Sequence, residues 1–304
     1  MSLALSTHPD IPVLDRRAEA RLEPDWLRIA LLDPVTRFVV ARGSTHLVTA
    51  ETSPQLALLS TQQPGLAELP ESRLTLLGWF QGQRLILADL PEHHPLDVPG
   101  TTFQELRPLL GLLPAGEADV LGFARALVHW RERHRHCGVC GAPTAPRSAG
   151  HVLRCTREIC GTDFFPRLDP AIIVLVSDGD YALLGRQKSW ADGRYSTLVG
   201  FVEAGETLEE TVAREVGEET GTRVTWVRYM SSQPWPFPSS LMLGFHAGAT
   251  RGPIQLLDGE LEDARWFHWR QIQAAQAPGQ LIALPPHYTI ARQLIEAWLG
   301  ERTH

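Results

Sequence analysis

The residues best suited to chemistry are five charged side chains on one short stretch of the chain. They are Glu206, Arg214, Glu215, Glu218 and Glu219. An α-helix has about 3.6 residues per turn, so the last three carboxylates project from one face within about one turn. Carboxylates packed so closely repel one another, but they suit a hard divalent cation that takes oxygen ligands. This stretch therefore predicts a site for Mg²⁺ or Mn²⁺, in which Arg214 orients one acid through a bidentate pair.

A helix over residues 207–220 is expected to hold these acids in place. Its opposite face, which includes Val212 and Val216, is expected to bury against a sheet. Gly200 precedes the helix and lets the loop approach a ligand closely, and Gly221 can end the helix in a left-handed cap. The alternative is an exposed acidic helix that binds no metal.

All four cysteines of the chain lie within one short segment. They form two pairs, Cys137 with Cys140 and Cys155 with Cys160, separated by fourteen residues that are expected to form a hairpin. Two close pairs are typical of a zinc ribbon, in which four thiolates close the coordination sphere and the metal is structural. The second pair is spaced more widely than the usual two residues, so free or disulfide-bonded cysteines remain the alternative.

The composition is that of an ordinary globular protein. Hydrophobic residues make up 43% and charged residues 21% of 304 residues, which is enough chain for two domains with a core in each. The formal net charge of −7 provides no overall basic field for long nucleic acid. Residues 1–22 lack an apolar core of signal-peptide length, and no uncharged apolar run approaches the about 18 residues of a membrane span. We therefore expect a soluble, cytoplasmic protein.

The order of the elements predicts an α+β fold in four parts. Residues 1–115 are β-rich, 116–136 form a linking helix, 137–166 form the ribbon, and 167–304 form the domain that carries the acids. In this last domain strands precede and follow the acidic helix, which is typical of an α/β sandwich. The strands expected from the apolar runs are 38–40, 46–48, 73–80, 84–88, 171–176, 181–184, 197–202, 223–229 and 241–247, and two closing helices are expected at 269–275 and 288–299.

A proline-rich segment follows the acidic helix, at residues 232–240. Its alternating prolines hold the backbone extended and remove amide donors, so Trp235 and Phe237 project from a stiff loop. Such aromatic rings suit a planar base, and Gln233 and Ser240 can form hydrogen bonds with ribose or phosphate. A rigid connector whose aromatic residues fill the core is the alternative.

The spacing from Gly200 to Gly221 resembles the Nudix box, G-x5-E-x7-R-E-U-x-E-E-x-G-U, where U is a bulky aliphatic residue. Every fixed position matches except the last, where Thr222 replaces the aliphatic residue. The segment from residue 232 resembles the S-Q-P-W-P-F-P-x-S signature of NADH pyrophosphatases. Together with the ribbon, these motifs resemble the NADH pyrophosphatase family of Nudix hydrolases. The resemblance implies a Nudix-like N-terminal domain, a zinc ribbon, and a catalytic Nudix domain built as an α/β/α sandwich with a mixed sheet.

The resemblance implies hydrolysis of the pyrophosphate bond of NAD(H) to AMP and nicotinamide mononucleotide, by a metal-activated water. Removal of NAD caps from RNA breaks the same bond. Glu215, Glu219 and Glu218 would bind the catalytic Mg²⁺ or Mn²⁺, with Glu218 as a further ligand or as the base. Glu260 would be the remote ligand, although Glu262 and Asp263 are close rivals. Arg214 and Glu206 complete the catalytic set, Arg214 as an orienting residue and Glu206 through the loop or a water.

The resemblance also implies a set of substrate contacts and a homodimer. The rings of two phenylalanines would sandwich a base, the proline-rich segment would select the dinucleotide, and one backbone group would contact the substrate. These residues are Phe165, Phe201, Gln233, Pro234, Trp235, Pro236, Phe237, Pro238, Ser239, Ser240 and Ala291. Two other functions stay open: hydrolysis of another nucleoside diphosphate derivative such as ADP-ribose, and a non-enzymatic zinc-ribbon module that binds nucleic acid.

Overall fold

The computed structural model describes residues 14–114, 116–256, 259–275 and 282–302. Most of the segment on which the absence of a signal peptide was predicted, residues 1–13, lies outside the described residues. The chain divides into two compact units, one comprising Met1–Leu168 with Pro236–Ser239, the other Asp169–Trp235 with Ser240–His304. Within the described ranges, no helix combines the length and the apolar character needed to cross a membrane.

Over its described residues the first unit contains a six-stranded sheet, a three-stranded sheet and three α-helices. The strands are β1 (Thr36–Arg42), β2 (Thr45–Thr49), β3 (Leu58–Ser60), β4 (Leu74–Phe80), β5 (Gln83–Leu90), β6 (Thr101–Glu105), β7 (Thr144–Arg147), β8 (Val152–Cys155) and β9 (Asp163–Phe164). The helices are α1 (Trp26–Leu32), α2 (Leu106–Leu109) and α3 (Glu117–Arg133), with 3-10 turns at Ala18–Leu22, Glu71–Arg73 and Ser148–Gly150. The predicted strands and the predicted hairpin of this region are confirmed.

The larger sheet of the first unit is mixed. Its order is β4-β5-β1-β2-β6, with β3 also paired to β1, and the β1–β5 pair is parallel while the others are antiparallel. Alternate residues such as Phe38 and Val40 on β1 pack into a core with Leu76, Ile86 and Trp26. This burial fixes the register, because a shift of one residue would expose the apolar set.

Helix α3 is shorter than the predicted 116–136 and belongs to the first unit. Val120 and Leu127 are buried, and the helix packs on β1 and β4. The helix ends before His134, whose ring forms a hydrogen bond with the carbonyl of Trp130 in the last turn. The helix is therefore part of the core of the first unit rather than only a link to the ribbon.

The second unit is a three-layer sandwich. Its strands are β10 (Asp169–Asp178), β11 (Tyr181–Arg186), β12 (Leu198–Phe201), β13 (Val224–Trp235), β14 (Ser240–Ala249) and β15 (Asp263–His268), and its helices are α4 (Leu208–Thr220), α5 (Trp269–Ala274) and α6 (Ile290–Gly300). The sheet order is β13-β14-β10-β11-β15, with β12 also paired to β10 and a parallel β10–β14 pair. The predicted mixed sheet is confirmed.

The apolar run of the central strand β10 is buried on both faces. Ile172 and Val174 pack with Val212 of α4 on one face. Ile173 packs with Leu294 of α6 on the other. The predicted α/β/α sandwich is thus confirmed, and the sheet supports α4 through Val212 and Val216.

Candidate active site and metal centres

Both ends of helix α4 are capped by residues next to them in the chain. The Thr207 hydroxyl accepts a hydrogen bond from the Glu210 N–H at 3.2 Å, and the Glu210 carboxylate accepts one from the Thr207 N–H at 2.8 Å. At the other end Gly221 takes a left-handed conformation with φ of 67°. Such a capping box and glycine cap satisfy the free backbone groups of the helix ends. The acids between them therefore stand on a helix with fixed ends.

Arg214 lies at the centre of the site. Its guanidinium donates to Glu206 through two nitrogens at 2.6 and 2.9 Å, to Glu215 at 2.9 Å and to Glu218 at 3.0 Å. It also donates to the carbonyl of Phe201 at 2.9 Å. One planar cation therefore joins three carboxylates to the end of β12. The orienting role expected for Arg214 extends to more partners than a single bidentate pair.

Glu206 is occupied by contacts within the protein. Besides Arg214, its carboxylate accepts from the Glu203 N–H at 3.1 Å and from the Thr211 hydroxyl at 3.0 Å. The Arg214 hydrogen bonds, the largest cause, lower the pKa of Glu206 to about 2, so the group is ionised at neutral pH. Its oxygens hold the loop before α4 to Arg214, which agrees with the first of the two roles expected for Glu206, and a contact with metal through a water stays a prediction. Glu206 is a positioning residue.

Glu215 occupies the space that Gly200 leaves open. A Cβ added at Gly200 would lie 1.8 to 2.3 Å from the carboxylate atoms of Glu215. Burial raises the pKa of Glu215, and the nearby charges of Glu218 and Glu260 raise it further, against the lowering effect of Arg214. The glycine was expected to admit a ligand to the loop; instead it admits the carboxylate of Glu215.

Glu218 and Glu219, the two acids that follow Glu215 on the helix, differ in their exposure. Glu219 is 2% exposed, whereas the side chain of Glu218 is 53% exposed. A buried carboxylate is costly unless it is paired, hydrogen-bonded or bound to a metal. Of these two acids Glu219 is thus buried and Glu218 is accessible to solvent.

Among the three acids considered for the remote position, Glu260 is the one whose charge acts on Glu215. Its rivals are paired elsewhere: Glu262 lies 3.1 Å from Arg186, and Asp263 accepts a hydrogen bond from the Tyr195 hydroxyl. The charge coupling favours Glu260 over both.

The chemistry of this group fits a divalent cation. Four carboxylates supply hard oxygen donors. Burial is the main cause of the raised pKa of Glu215, and the charges of Glu218 and Glu260, which a cation would offset, raise it further. Glu215, Glu218, Glu219 and Glu260 would hold such an ion.

The cysteines form a second metal centre in the first unit. The Sγ atoms of Cys137, Cys140, Cys155 and Cys160 all lie within 4.8 Å of one another, the one such group of ligand atoms in the described part of the chain. Two of the separations, 3.7 and 3.5 Å, are close to the about 3.8 Å between sulfurs bound at about 2.3 Å to a tetrahedral zinc ion. The thiols are free and not disulfide-bonded. The four thiols fit a closed, structural zinc site.

Gln233 differs from its expected role as a substrate contact. Its side chain is 0% exposed, donates to the Tyr288 carbonyl at 2.8 Å and accepts from the Ile290 N–H at 2.8 Å. The amide therefore fixes the backbone at the start of α6. This corrects the expectation, because a buried amide with both ends bonded is not available to ribose or phosphate.

The proline-rich segment is not one loop. Residues 232–235 continue β13, where Pro234 pairs with Leu241 and Trp235 with Ser240. Strand β13 lies at the edge of the sheet, where a proline costs no ladder hydrogen bond. Trp235 is half-buried, whereas Ser240 is only 6% exposed.

The four residues between these strands belong to the first unit. The Phe237 ring has the guanidiniums of Arg107 and Arg125 at 4.6 and 5.1 Å from its centroid. Arg125 also donates to the carbonyl of the buried Pro236 at 2.9 Å. The expected open ring for a base is thus partly covered by two cations, while Pro238 is exposed and Ser239 is half-buried. Sequence reasoning missed both arginines, which carry no spacing signal.

The remaining predicted contacts are placed as follows. Phe201 at the end of β12 is 59% exposed, and Phe165 after β9 is 56% exposed. Large aromatic rings at such exposure are available to stack on a ligand. Ala291 lies in the first turn of α6, between Ile290, bonded by Gln233, and Arg292, capped by Thr289.

Comparison with known proteins yields three family models that together span most of the chain. A NADH pyrophosphatase-like rudimentary NUDIX domain matches residues 35–130, a NADH pyrophosphatase zinc ribbon domain matches 132–165, and a NUDIX domain matches 167–285. The NAD-capped RNA hydrolase NudC of Stutzerimonas stutzeri is 43% identical over 235 residues, covering 77% of this chain and 80% of the relative. That of Mycobacterium bovis is 40% identical over 287 residues, covering 90% and 87%. That of Pseudomonas aeruginosa is 40% identical over 239 residues, covering 78% and 80%.

Proposed function

The chain belongs to the NADH pyrophosphatase family of Nudix hydrolases, and we propose that it hydrolyses the diphosphate of NAD(H) and of NAD-capped RNA. Water adds across one P–O bond of the bridge, so NAD(H) gives AMP and nicotinamide mononucleotide. On a capped RNA the same cleavage leaves a 5′-monophosphate on the terminal adenosine. Both products are phosphate monoesters, and no further reactant is consumed.

The observation that carries this proposal is the arrangement of acids around Glu215. Its carboxylate lies in the space beside Gly200, within the electrostatic reach of Glu218 and Glu260. Arg214 fixes the direction of Glu215 through a hydrogen bond of 2.9 Å. A binding module without catalysis would gain nothing from holding repelling carboxylates together.

We assign the carboxylates distinct tasks. Glu215, Glu219 and Glu260 hold a Mg²⁺ or Mn²⁺ ion, and Glu218 is a further ligand or takes the proton from the attacking water. Such an ion neutralises diphosphate charge and lowers the pKa of water. Arg214 and Glu206 keep the loop and the acids in register through the contacts described above.

We propose that aromatic rings select the substrate. The exposed Phe201 and Phe165 and the half-buried Trp235 would contact the bases of the dinucleotide, a proposal that rests on their rings and on the family relationship. Trp235→Ala should therefore reduce kcat/KM for NADH more than for a simple diphosphate ester. An equal loss on both substrates would give Trp235 a structural role only.

The experiment that tests the function compares wild type with Glu219→Gln. Wild type with NADH and Mg²⁺ or Mn²⁺ should release AMP, while the variant should lose two or more orders of magnitude in turnover and remain folded. Glu209→Gln is the matched control, because Glu209 is an exposed acid on the same helix. If wild type releases no AMP from NADH but releases AMP from ADP-ribose, the substrate would be ADP-ribose and not NAD(H). Tight RNA binding without cleavage of any diphosphate would refute the proposed enzymatic activity.

We further propose that the chain acts as a homodimer in the cytoplasm. The proposal rests on the family resemblance, and light scattering after size-exclusion chromatography tests the dimer. A monomeric mass at full NADH activity would refute it.

A further inference from the structure

We propose that the outer face of the zinc ribbon binds the phosphodiester backbone of a capped RNA, a role that rests on the proposed function. Residues 131–168 contain seven arginines and three acidic residues, in a chain whose formal net charge is −7. The acidic excess thus belongs to the rest of the chain. A local basic surface of this kind attracts the backbone of a nucleic acid even when the whole protein is acidic.

Six of these arginines are exposed. They are Arg133, Arg135, Arg147, Arg154, Arg157 and Arg167. Among the described residues only Arg154 of this group has an ion-pair partner, Asp163 at 3.6 Å. In the described chain outside residues 131–168 most arginines are in ion pairs with Asp or Glu, so the other five exposed arginines of this region stand out as cations without an ion-pair partner.

The strand register places two of these arginines on one face of the ribbon. Arg147 on β7 pairs with Val152 on β8, and Arg154 lies two residues further along β8. Side chains directly opposite, and two residues apart on one strand, share a face of a sheet. Leu153 and Cys155 point to the other face and are 4% exposed each. Arg157 follows in the exposed turn between the second pair of cysteines.

The face is separated from the charge of the zinc site. Four thiolates with one Zn²⁺ ion would keep a negative charge, but Cys137 and Cys155 are buried, and Cys155 lies on the face of β8 opposite to Arg154. Diagonal positions on paired strands are about 7–8 Å apart, so two long arginine side chains can reach successive phosphates of a single strand. The surface offers charge and no pattern of base-reading side chains, so we expect recognition of the backbone without sequence preference.

The test removes the charge of the face and leaves the proposed active site intact. The variant is Arg147→Ser, Arg154→Ser and Arg157→Ser in one chain, with kcat/KM measured for NADH and for an NAD-capped single-stranded RNA. Three lost phosphate contacts should lower kcat/KM for the RNA by on the order of 10- to 50-fold at 0.15 M salt. The plot of log kcat/KM for the RNA against the logarithm of salt concentration should have a slope whose magnitude is smaller by about 2 in the variant. The value for NADH should stay within about twofold.

Two control variants separate charge from structure. Changing the same three arginines to lysine keeps the charge and should keep the RNA activity. Changing Arg28, Arg223 and Arg270 to serine removes three exposed arginines elsewhere and should leave the ratio of RNA to NADH activity unchanged. Zinc content is measured for every variant, so that loss of the ribbon is recognised.

The failure of this inference differs from the failure of the proposed function. If the serine variant retains zinc and cuts capped RNA with wild-type kcat/KM and salt dependence, the ribbon face does not bind RNA. The same conclusion follows if the lysine variant loses as much RNA activity as the serine variant. If wild type cuts neither NADH nor capped RNA, the proposed function itself is wrong.

Discussion

Replacement of Gly200 by alanine should disable the site while leaving the fold nearly intact. The added Cβ would lie 1.8 Å from the Glu215 Cδ and 2.0 and 2.3 Å from its two oxygens. The carboxylate must retreat by roughly 1.5 Å to reach a normal contact of about 3.5 Å. Such a movement breaks the 2.9 Å hydrogen bond from Arg214.

The size of the effect follows from which atoms move. They are the end of a flexible side chain, so the free energy of unfolding should fall by no more than the about 1–3 kcal/mol typical of overpacking. A displacement of about 1 Å in a catalytic arrangement can cost about 100-fold in rate. We therefore expect kcat/KM for NADH to fall about 100-fold, with weaker Mn²⁺ binding in the absence of substrate.

Gly217→Ala is the matched control for this substitution. Gly217 lies inside α4, and a Cβ there would meet no heavy atom within 4 Å. Alanine should stabilise the helix by about 1 kcal/mol and leave activity unchanged. Denaturant unfolding, Mn²⁺ titration and NADH kinetics on both variants give the comparison.

A double variant identifies the clash as the cause. Glu215→Asp shortens the side chain away from residue 200, so its damage and that of Gly200→Ala should not add. If Gly200→Ala binds Mn²⁺ and turns over NADH like wild type, Glu215 does not act from the position described. The assignment of the metal centre would then be refuted.

Three further changes probe positioning rather than catalysis. The pKa of Glu206 is lowered to about 2, so its contribution to stability is present above the ordinary value of 4.5 and is lost as pH falls toward 2. In urea unfolding, the difference in free energy of unfolding between wild type and Glu206→Gln should therefore become smaller across this pH range. A difference that does not change with pH would contradict the ion pair. Gln233→Leu leaves two buried backbone groups unpaired and should cost about 1–3 kcal/mol for each; a raised KM for NADH at unchanged stability would instead return Gln233 to the substrate. Removal of zinc by a chelator should unfold the ribbon, as followed by circular dichroism, before the chemistry changes; loss of activity with the ribbon intact would contradict a structural metal.

The parts of the fold that could be predicted are those with strong local signals. The acidic helix has a threonine cap, an apolar stripe and a glycine end, and the structure places it at Leu208–Thr220. The run around Ile172 is long and apolar, and it forms the central strand. By contrast β15 (Asp263–His268) mixes charged, small and aromatic residues without an apolar run, and its place is set by pairing with β11. Pairing of this kind is not visible in a single stretch of sequence.

The roles of polar residues were harder to predict than their positions. The chemistry of glutamine fits a ligand contact or a backbone support equally well, and only the burial of Gln233 distinguishes them. Phe237 was expected to offer an open ring, yet its contacts with two arginines come from segments more than a hundred residues away. Residue type predicts which interactions a side chain can make, whereas the tertiary structure determines which partner it contacts.

The contacts of Arg214 show why the box needs all of its fixed positions together. Neighbouring carboxylates repel one another, and a nearby cation offsets that repulsion. Arg214 supplies one positive charge, but Glu206 takes two of its hydrogen bonds. The arginine therefore mainly holds the loop, and its remaining nitrogen, Nη1, donates to both Glu215 and Glu218. Since one cation cannot balance Glu215, Glu218, Glu219 and Glu260 as well, the site keeps a net negative charge, which a divalent ion would offset.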